Sequence, residues 1–399
     1  MLTGSQLLLS GKRFAVAMWE YSWLVQRSGD QAEYADWDKV LDELVDRGYN
    51  CIRIDAYPHL IASDNRGNIQ HEFEMQPISS NFMWGNHQAV RINPRQGLVE
   101  FMQKAKARGL YFGLSSWFNN DTTNRKFMVR NAHDYVRIWS ETLQHLQQND
   151  LLDRIIWVDI CNEFPLIMWA PGAFSDIFNT TPVTDKIGLN VLKAVRRWKP
   201  SERRRFQTYL TDATQKLKLL FPDLHFTLSF DPYTSKNTTS FQVKHLKMVE
   251  PHIWATDDLW WVLRSRMPTL FIKKKYEENI VSYVNTCRRL ARSFRKRHEQ
   301  TLNRRMDMWA HWARKNNVHL VTSEGWVNVL YEDISSTGVD GEWDWFKDLS
   351  EYAVNLAIQK GWQGICTSNF AQPHFEGMWK DVAWHRQLTE RIKSAPTIV

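Results

Sequence analysis

Short apolar runs alternate with longer amphipathic segments along the whole chain. Eight runs rich in β-branched and aromatic residues have the length of buried strands, at 14–19, 50–56, 110–117, 155–161, 225–230, 251–255, 318–323 and 364–369. Segments with helical spacing of apolar residues lie between them, for example 36–47, 97–108, 132–148, 201–220 and 343–360. Strands that alternate with helices predict βα units and a parallel sheet.

The number of these units predicts how the sheet is arranged. Eight units favour a closed (β/α)8 TIM barrel of the α/β class, because an open doubly wound sheet seldom needs eight regular units. No glycine-rich phosphate loop follows the first predicted strand, which argues against a nucleotide-binding sheet. Because no change in composition marks a linker, we expect residues 1–399 to form a single catalytic domain.

Three connections are longer than plain barrel loops require. They span residues 57–96, 164–200 and 257–317, after the second, fourth and sixth predicted strands. In a (β/α)8 barrel the loops that follow the strand ends build the active-site face. We therefore expect these long βα loops to wall a pocket and to restrict access to it.

The net charge of +7 changes this picture little, because it is concentrated in one segment. Residues 264–305 contain 13 Lys or Arg and 3 Asp or Glu, an excess larger than the net charge of the whole chain. Apolar residues recur every three or four positions in this segment, which predicts an amphipathic helix with a buried stripe that includes Phe294. A solvated outer helix face explains the charge, and a polyanion-binding surface is the alternative.

The compartment follows from what the sequence lacks. No stretch approaches about 18 unbroken apolar residues, so we expect no membrane span. The first ten residues have no basic leader and only three consecutive leucines, which predicts a cytoplasmic protein. The four cysteines are far apart, so we expect reduced structural thiols and neither a disulfide framework nor a metal cluster. The sequence does not indicate the oligomeric state.

Two of the predicted strands end in a lone glutamate. The run 155–161 is followed by Asn162 and Glu163, and the run 318–323 is followed by Glu324. The fourth and seventh strands lie on opposite sides of a barrel, so their end side chains can face each other across a pocket of sugar size. Glycoside hydrolysis needs one carboxyl group to protonate the leaving oxygen and another to attack the anomeric carbon or to activate water.

With this pattern the chain resembles the clan A glycoside hydrolases, and among them the cellulase-like group. The resemblance implies that Glu163, after Asn162, is the acid/base and that Glu324 is the nucleophile of a retaining double displacement. It also rests on Arg53 in the second strand and on His252-Ile-Trp254 in the sixth. No cofactor and no metal are implied.

The supporting residues of this resemblance have more than one interpretation. A nearby cation lowers the pKa of a carboxyl group, so Arg53 is expected to keep Glu324 ionised, although a salt bridge near Asp55 without a catalytic role is the alternative. His252 either donates a hydrogen bond to the nucleophile or fills a layer of the core. Both interpretations of His252 remain open at this point.

Aromatic and polar residues near the strand ends are candidates for binding the sugar. Sugar rings stack on aromatic faces, and the tryptophans at predicted strand ends are Trp19, Trp117, Trp254 and Trp326. Candidate binders of hydroxyl groups are Asp55, His59, Asn119, Asp231 and Asn369. Cellulases of this clan often have His at the third strand end and Trp at the eighth, where this chain has Trp117 and Asn369-Phe370. The sugar specificity of cellulases is therefore not implied.

These observations predict a retaining β-glycoside hydrolase that is exo-acting on small imported β-glycosides. A catalytically silent sugar-binding barrel is the alternative, but it would not require both glutamates. A nucleic-acid binder built on residues 264–305 would have charge but no recognition fold, so no nucleic-acid partner is expected. A metal-dependent barrel hydrolase would need clustered ligands that the predicted strands do not contain.

Overall fold

The computed structural model describes residues 2–20, 22–75, 89–119, 121–180, 193, 196–231, 237, 239–256, 259–266, 276–327 and 343–398. The strands in this part of the chain are β1 (Phe14–Met18), β2 (Cys51–Asp55), β3 (Phe73–Met75), β4 (Val90–Ile92), β5 (Tyr111–Ser115), β6 (Ile155–Asp159), β7 (Phe226–Thr227), β8 (Ser229–Phe230), β9 (Met248–Pro251), β10 (Ile253–Trp254), β11 (His319–Thr322), β12 (Gly325–Trp326) and β13 (Gly364–Cys366). Each predicted strand run contains at least one of them.

Nine of the described strands form one parallel sheet in the order β7, β6, β5, β2, β1, β13, β11, β9, β8. Only Leu228 separates β7 from β8, so these two short strands are halves of the fifth barrel strand. One half pairs with β6 and the other with β9, which closes the sheet on itself. The predicted (β/α)8 barrel is confirmed.

The helices in the described residues are α1 (Gly4–Leu9), α2 (Trp37–Asp46), α3 (Pro58–Ile61), α4 (Pro94–Ala107), α5 (Ala132–Gln147), α6 (Pro171–Phe178), α7 (Pro200–Thr208), α8 (Thr214–Leu220), α9 (Leu259–Arg264), α10 (Tyr276–Ser293), α11 (Arg295–Asn316), α12 (Asp344–Lys360), α13 (Glu376–Trp379) and α14 (Val382–Ser394). Side chains of Asp36, Asn93 and Asn131 accept hydrogen bonds from the first turns of α2, α4 and α5, as N-caps do. Gly361 ends α12 with a φ of 89°. In the described part of the chain, no helix has the length and apolar character needed to cross a membrane.

All three of the long connections contain elements of their own, which are α3, β3 and β4 in 57–96, α6 in 164–200, and α9, α10 and α11 in 257–317. The antiparallel pair β3–β4 lies in the segment after β2, and β10 pairs in parallel with β12 beyond the ends of β9 and β11. Residues 76–88, 181–192, 194–195, 257–258 and 267–275 of the predicted loops lie outside the described residues.

The basic segment differs from the single helix that was expected. It contains α10 and α11, and Phe294 lies between them with 43% of its surface exposed. The prediction that Phe294 belongs to a buried stripe is wrong, because the break resets the rotation of the side chains about the helix axis. Leu302 and Trp309 on α11 are buried.

The N-terminal end of the barrel is closed by apolar packing and by α1. Phe14 and Trp157 are in ring contact at 6.1 Å inside the barrel. A Cβ atom on Gly364 would lie 2.4 Å from the Phe14 ring, so only glycine fits there. The side-chain amide of Gln363 donates to the carbonyl oxygens of Leu8 and Lys12, at 2.6 and 3.0 Å. Polar side chains that face the interior are therefore concentrated at the other end.

Candidate active site

Arg53 lies at the centre of the polar cluster at the C-terminal ends of the strands. Its side chain is fully buried, and its guanidinium group contacts residues from several strands. Nη1 donates to Glu324 Oε1 at 2.6 Å, and Nη2 donates to Asp159 Oδ2 at 2.7 Å and to Asn162 Oδ1 at 2.8 Å. Nε lies 2.9 Å from Glu250 Oε1. One cation thus holds three carboxylates and an amide in fixed positions.

The two strand-end glutamates meet at His252. His252 Nδ1 lies 3.1 Å from Glu163 Oε1 and 3.4 Å from Glu324 Oε2. One oxygen of each carboxyl group and a ring nitrogen of His252 all lie within 4.8 Å of one another. The structure therefore brings Glu163, Glu324 and His252 together, and the hydrogen bond of the His252 ring joins it to Glu163, whereas the expected donation was to Glu324.

The position of Glu163 is set by its backbone. Glu163 has a φ of 46°, in the left-handed region that non-glycine residues rarely adopt. Its backbone N–H donates to Ser229 Oγ at 2.8 Å, and the Ser229 N–H donates to Asp159 Oδ1 at 2.8 Å. Glu163 is thereby tied through β8 to the carboxylate that also binds Arg53. Strain of this kind is found where a side chain must point in one direction.

A second layer of polar contacts lies beneath the glutamates. The indole of Trp157 donates to Glu250 Oε2 at 2.6 Å, and the Ser323 hydroxyl donates to the other oxygen. The Ser115 hydroxyl donates to Asp159 Oδ2 at 2.6 Å. Because these carboxylates are satisfied by donors as well as by Arg53, the buried charges have the partners that their burial requires.

Burial and charge shift the protonation equilibria of this cluster in opposite directions. Burial alone would lower the pKa of His252, but Glu324, Glu163 and Glu250 raise it to about 10, so the imidazole stays charged at neutral pH. Burial raises the pKa of Glu324, while His252 and Arg53 act against that rise. Arg53 contacts Glu324 as expected and lowers the pKa of Glu324, but the rise in pKa that burial causes is larger.

The structure places the polar candidates on two sides of the cluster. Asp55 accepts hydrogen bonds from the backbone N–H groups of Tyr57 and Trp117, and burial raises its pKa to about 7. His59 Nε2 lies 3.1 Å from the backbone oxygen of Asn119, which follows β5, the third strand of the barrel. The Asn369 N–H donates to the oxygen of Gly325, next to Glu324.

The four candidate tryptophans have different surroundings. Trp117 packs on Arg53, whose guanidinium carbon lies 4.5 Å from its ring centroid. Trp254 lies 6.4 Å from the His252 ring, measured between centroids. Trp326 is fully buried and donates to the backbone oxygen of Cys366, and the ring of Trp19 packs on Phe101, Tyr34 and Trp379.

Three carboxyl groups of this cluster were not among the sequence candidates. Asp159 and Glu250 bind Arg53 directly, and Glu20 follows β1 in a buried position. Asp159 lies inside the predicted strand four residues before Glu163, and an acidic residue within a buried strand is itself a signal. Glu250 immediately precedes the sixth predicted strand. Glu20 follows Trp19, the last residue of the first predicted strand run.

Glu163, His252 and Glu324 are close enough to share a metal ion, and they are the one such group among the described residues. The donor set fits a metal poorly. A charged imidazole is a hydrogen-bond donor and not a ligand, and its Nδ1 is the atom directed at both carboxylates. The contacts are those of a cation shared by two anions.

Comparison with known proteins agrees with this architecture. A structure from Parabacteroides distasonis, whose assignment as a glycoside hydrolase is itself provisional, is 32% identical to this chain, with a TM-score of 0.80 over 96% of this chain and 94% of that one. None of the curated proteins matches the chain.

Two more distant structures share the fold. One is a broad-specificity endoglucanase of glycoside hydrolase family 5 from Clostridium longisporum, 11% identical, with a TM-score of 0.50 over 98% of this chain and 99% of that one. The other is a family 5 enzyme from Prevotella bryantii, 12% identical, with a TM-score of 0.51 over 97% and 98%.

The closed barrel and these matches define the class of the protein as a cellulase-like glycoside hydrolase. More specifically, the chain belongs to the sugar-binding cellulase-like family, whose profile matches residues 16–393.

Proposed function

We propose that the protein is a retaining β-glycoside hydrolase with Glu324 as nucleophile and Glu163 as acid/base. The observation that carries the proposal is the approach of the two carboxyl groups, which have oxygens within 4.8 Å of each other. Retaining enzymes have carboxyl groups about 5 to 5.5 Å apart, whereas inverting enzymes need about 6.5 to 9.5 Å to admit a water molecule. The short separation supports direct attack on the sugar.

The reaction would run in two displacements. Glu324 attacks the anomeric carbon while Glu163 gives its proton to the departing glycosidic oxygen, which leaves a glycosyl ester on Glu324. Glu163, now ionised, takes a proton from water as that water attacks the anomeric carbon and releases Glu324. Arg53 and the charged His252 would orient Glu324 and stabilise its negative charge, both before attack and as the ester breaks.

We further propose that the substrate is a small β-linked glycoside and that one hexose is removed at a time. Support comes from the extra elements after β2, β6 and β10, which lie on the active-site side and would close one end of the cleft. The cysteines Cys51, Cys161, Cys287 and Cys366 are all buried free thiols, which fits work in the reducing cytoplasm on an imported substrate.

The chemical step is tested by labelling. A 2-deoxy-2-fluoro β-hexoside with a good leaving group should trap the ester, and peptide mass spectrometry should find the label on Glu324. In Glu163→Gln, substrates with good leaving groups should still react in the first step, since such groups depart without a proton. A label on another residue, or equal loss for all leaving groups, would contradict the assignment.

The exo-acting proposal is tested with substrates of different length. Aryl β-hexosides and disaccharides should release monosaccharide, and the viscosity of a soluble β-glucan should not fall. A rapid fall in viscosity, or a mixture of longer oligosaccharides, would contradict the proposed pocket.

One observation favours a sugar-binding protein without turnover as the second candidate. Burial raises the pKa of Glu324, which works against the ionised form that a nucleophile requires. Equal affinity for a β-glycoside in the parent and in Glu324→Gln, without hydrolysis in either, would establish that second function.

A further inference from the structure

A third interior carboxyl group lies beside the two glutamates. Phe14 of β1 faces the barrel interior, where its ring contacts Trp157. Because side chains alternate along a strand, Met18 shares that face, and Glu20 is the next position on it. The Trp19 N–H donates to the oxygen of Arg53, and the oxygen of Glu20 accepts from the Asp55 N–H, both at 2.8 Å. Glu20 is thus fixed level with the catalytic end of β2.

The surroundings of Glu20 are those of the active site. Only 5% of its surface is exposed. Glu324, Arg53, Glu163 and His252 are the charged groups that act on it most strongly. Its φ of 23° lies in the left-handed region, so the backbone is held in an unfavourable conformation at this residue.

Glu20 has no part in the two-carboxyl mechanism and differs from the other buried acids. Asp159 and Glu250 each form an ion pair with Arg53. Among the described residues, no Lys, Arg or His nitrogen lies within 4.0 Å of the Glu20 carboxyl group. Burying a carboxyl group without a cation is costly, so its retention at this position calls for a function.

We propose that Glu20 binds a hydroxyl group of the sugar that occupies the site over Glu324, and that this sugar is a neutral hexoside. This inference rests on the proposed function and names the class of substrate. A uronate in this place would add a negative charge next to Glu324 and Glu163, which disfavours it.

The chemistry of neighbouring groups fits a hydroxyl group. Burial and the charge of Glu324 raise the pKa of Glu20 well above its usual value, which favours the protonated form, and a protonated carboxyl group can both donate and accept. Asn369 follows β13, the neighbour of β1 in the sheet, and its buried Oδ1 has no hydrogen-bond partner among the residues that the structure describes. A donor from Glu20 and an acceptor from Asn369 match the two roles of a sugar hydroxyl.

The test combines deletion of the side chain with deletion of the hydroxyl group. Glu20→Ala and Glu20→Gln are assayed on an aryl β-hexoside and on its 2-, 3-, 4- and 6-deoxy analogues. We expect Glu20→Ala to lower kcat/KM by about 10²- to 10³-fold on the parent sugar but less than about tenfold on one deoxy analogue. Glu20→Gln, which keeps a donor and an acceptor, should stay within about tenfold of the parent.

Controls separate binding from folding. Glu390→Ala removes a carboxyl group on α14 that is 72% exposed, and it should change nothing. Glu20→Ala should unfold at the same temperature as the parent or higher, since it removes a buried acid. An equal loss on every analogue, or no loss at all, would overturn the proposal.

Two further outcomes are decisive. If a 2-amino-2-deoxy hexoside is the best substrate and Glu20→Gln loses it selectively, Glu20 recognises an ammonium group and the neutral-sugar inference is wrong. If the parent hydrolyses none of the glycosides, the proposed function fails by itself. The Kd values of the same glycosides for the parent and for Glu20→Ala, measured by calorimetry, then give the coupling between Glu20 and each hydroxyl group. Coupling to one hydroxyl group supports the role of Glu20 in binding, and no coupling contradicts it.

Discussion

The two ends of the barrel differ in the kind of side chain that they bury. At the N-terminal end, Phe14, Trp157 and Gly364 fill the interior, and α1 covers it. At the C-terminal end, Arg53 is surrounded by carboxylates, and Glu20 and Glu163 have left-handed backbones. The first end follows the rules of a well-packed core, and the second departs from them.

The difference teaches where stability and chemistry reside in this chain. Apolar burial is non-directional, whereas a buried charge depends on the exact position of its partner. We therefore expect changes at the C-terminal end to affect turnover or charge balance, and changes at the N-terminal end to affect unfolding alone. Five changes test this division, in order of decreasing effect.

Removal of the proposed nucleophile should give the clearest separation. Glu324→Gln is expected to lower kcat/KM by at least about 10⁴-fold, because a nucleophile has no substitute. Its unfolding temperature should equal or exceed that of the parent, since burial raises the pKa of Glu324 and the amide carries no charge. Steady-state kinetics and calorimetry on the same sample check both. A fall in stability equal to the fall in activity would contradict the division.

Removal of the central cation should affect both properties. Arg53→Met leaves Asp159, Glu250 and Glu324 buried without their shared partner, which should cost about 3 to 5 kcal/mol in the free energy of unfolding. Urea unfolding measures this cost. A variant as stable as the parent would show that the carboxylates do not depend on Arg53.

A change at the N-terminal end should reduce stability without altering the chemistry. In Gly364→Ala the added methyl group meets the Phe14 ring, and overpacking of this kind costs about 1 to 3 kcal/mol. The kcat of the folded fraction should remain that of the parent. If kcat differs from that of the parent under conditions in which all of the variant is folded, the two ends of the barrel are coupled.

A buried neutral histidine far from the glutamates should make stability fall in acid. His385 contacts Tyr49 and the oxygen of Met378, and burial lowers its pKa to about 3. Its folded pKa lies below the unfolded value, so stability is lost as the pH falls below about 6.5, by about 1.4 kcal/mol per pH unit.

The variant His385→Gln lacks this loss. The difference in unfolding free energy between parent and variant should therefore shrink by about 2 kcal/mol between pH 7 and pH 5. Urea unfolding at both pH values measures it, with the exposed His133→Gln as the matched control. A constant difference would contradict the assignment of the titration to His385.

The basic helices should contribute least. Replacing Arg292, Arg295, Lys296 and Arg297 together with Gln is expected to leave turnover within a few-fold of the parent. The Arg297 guanidinium lies 4.7 Å from the Trp260 ring, so a small loss of stability is the expected cost. Salt-dependent binding of RNA or DNA by the parent and not by the variant would instead establish a polyanion site.

Prediction from sequence was accurate where a pattern is local. Seven of the eight strand runs, most of the helical segments and the positions of Glu163 and Glu324 follow from periodicity and from residues close in the chain. The run 251–255 shares only Pro251 with β9, since that barrel strand begins at Met248. The break at Phe294 did not, because nothing local distinguishes a break in an amphipathic pattern from its continuation.

The network around Arg53 could not be predicted, because its members come from separate strands. Glu250 lies almost 200 residues from Arg53 in the chain, and only the closed barrel brings them together. Glu20 could have been found by continuing the alternation of β1 from Phe14 for one more position. The adjacent Trp19 was the candidate at this strand end, but its ring packs against Phe101 of α4.

The division of the fifth barrel strand at Leu228 links the order of folding to the appearance of activity. Ser229, the first residue of β8, binds Asp159 of β6 and Glu163, which follows β6, where the two halves of the fifth strand complete the sheet. Until β8 is in place, Glu163 lacks the contact that fixes its backbone. Contacts between residues far apart in the chain form late in folding. The return of hydrolysis during refolding would therefore report when the barrel closes. It should come later than any spectroscopic signal from the helices.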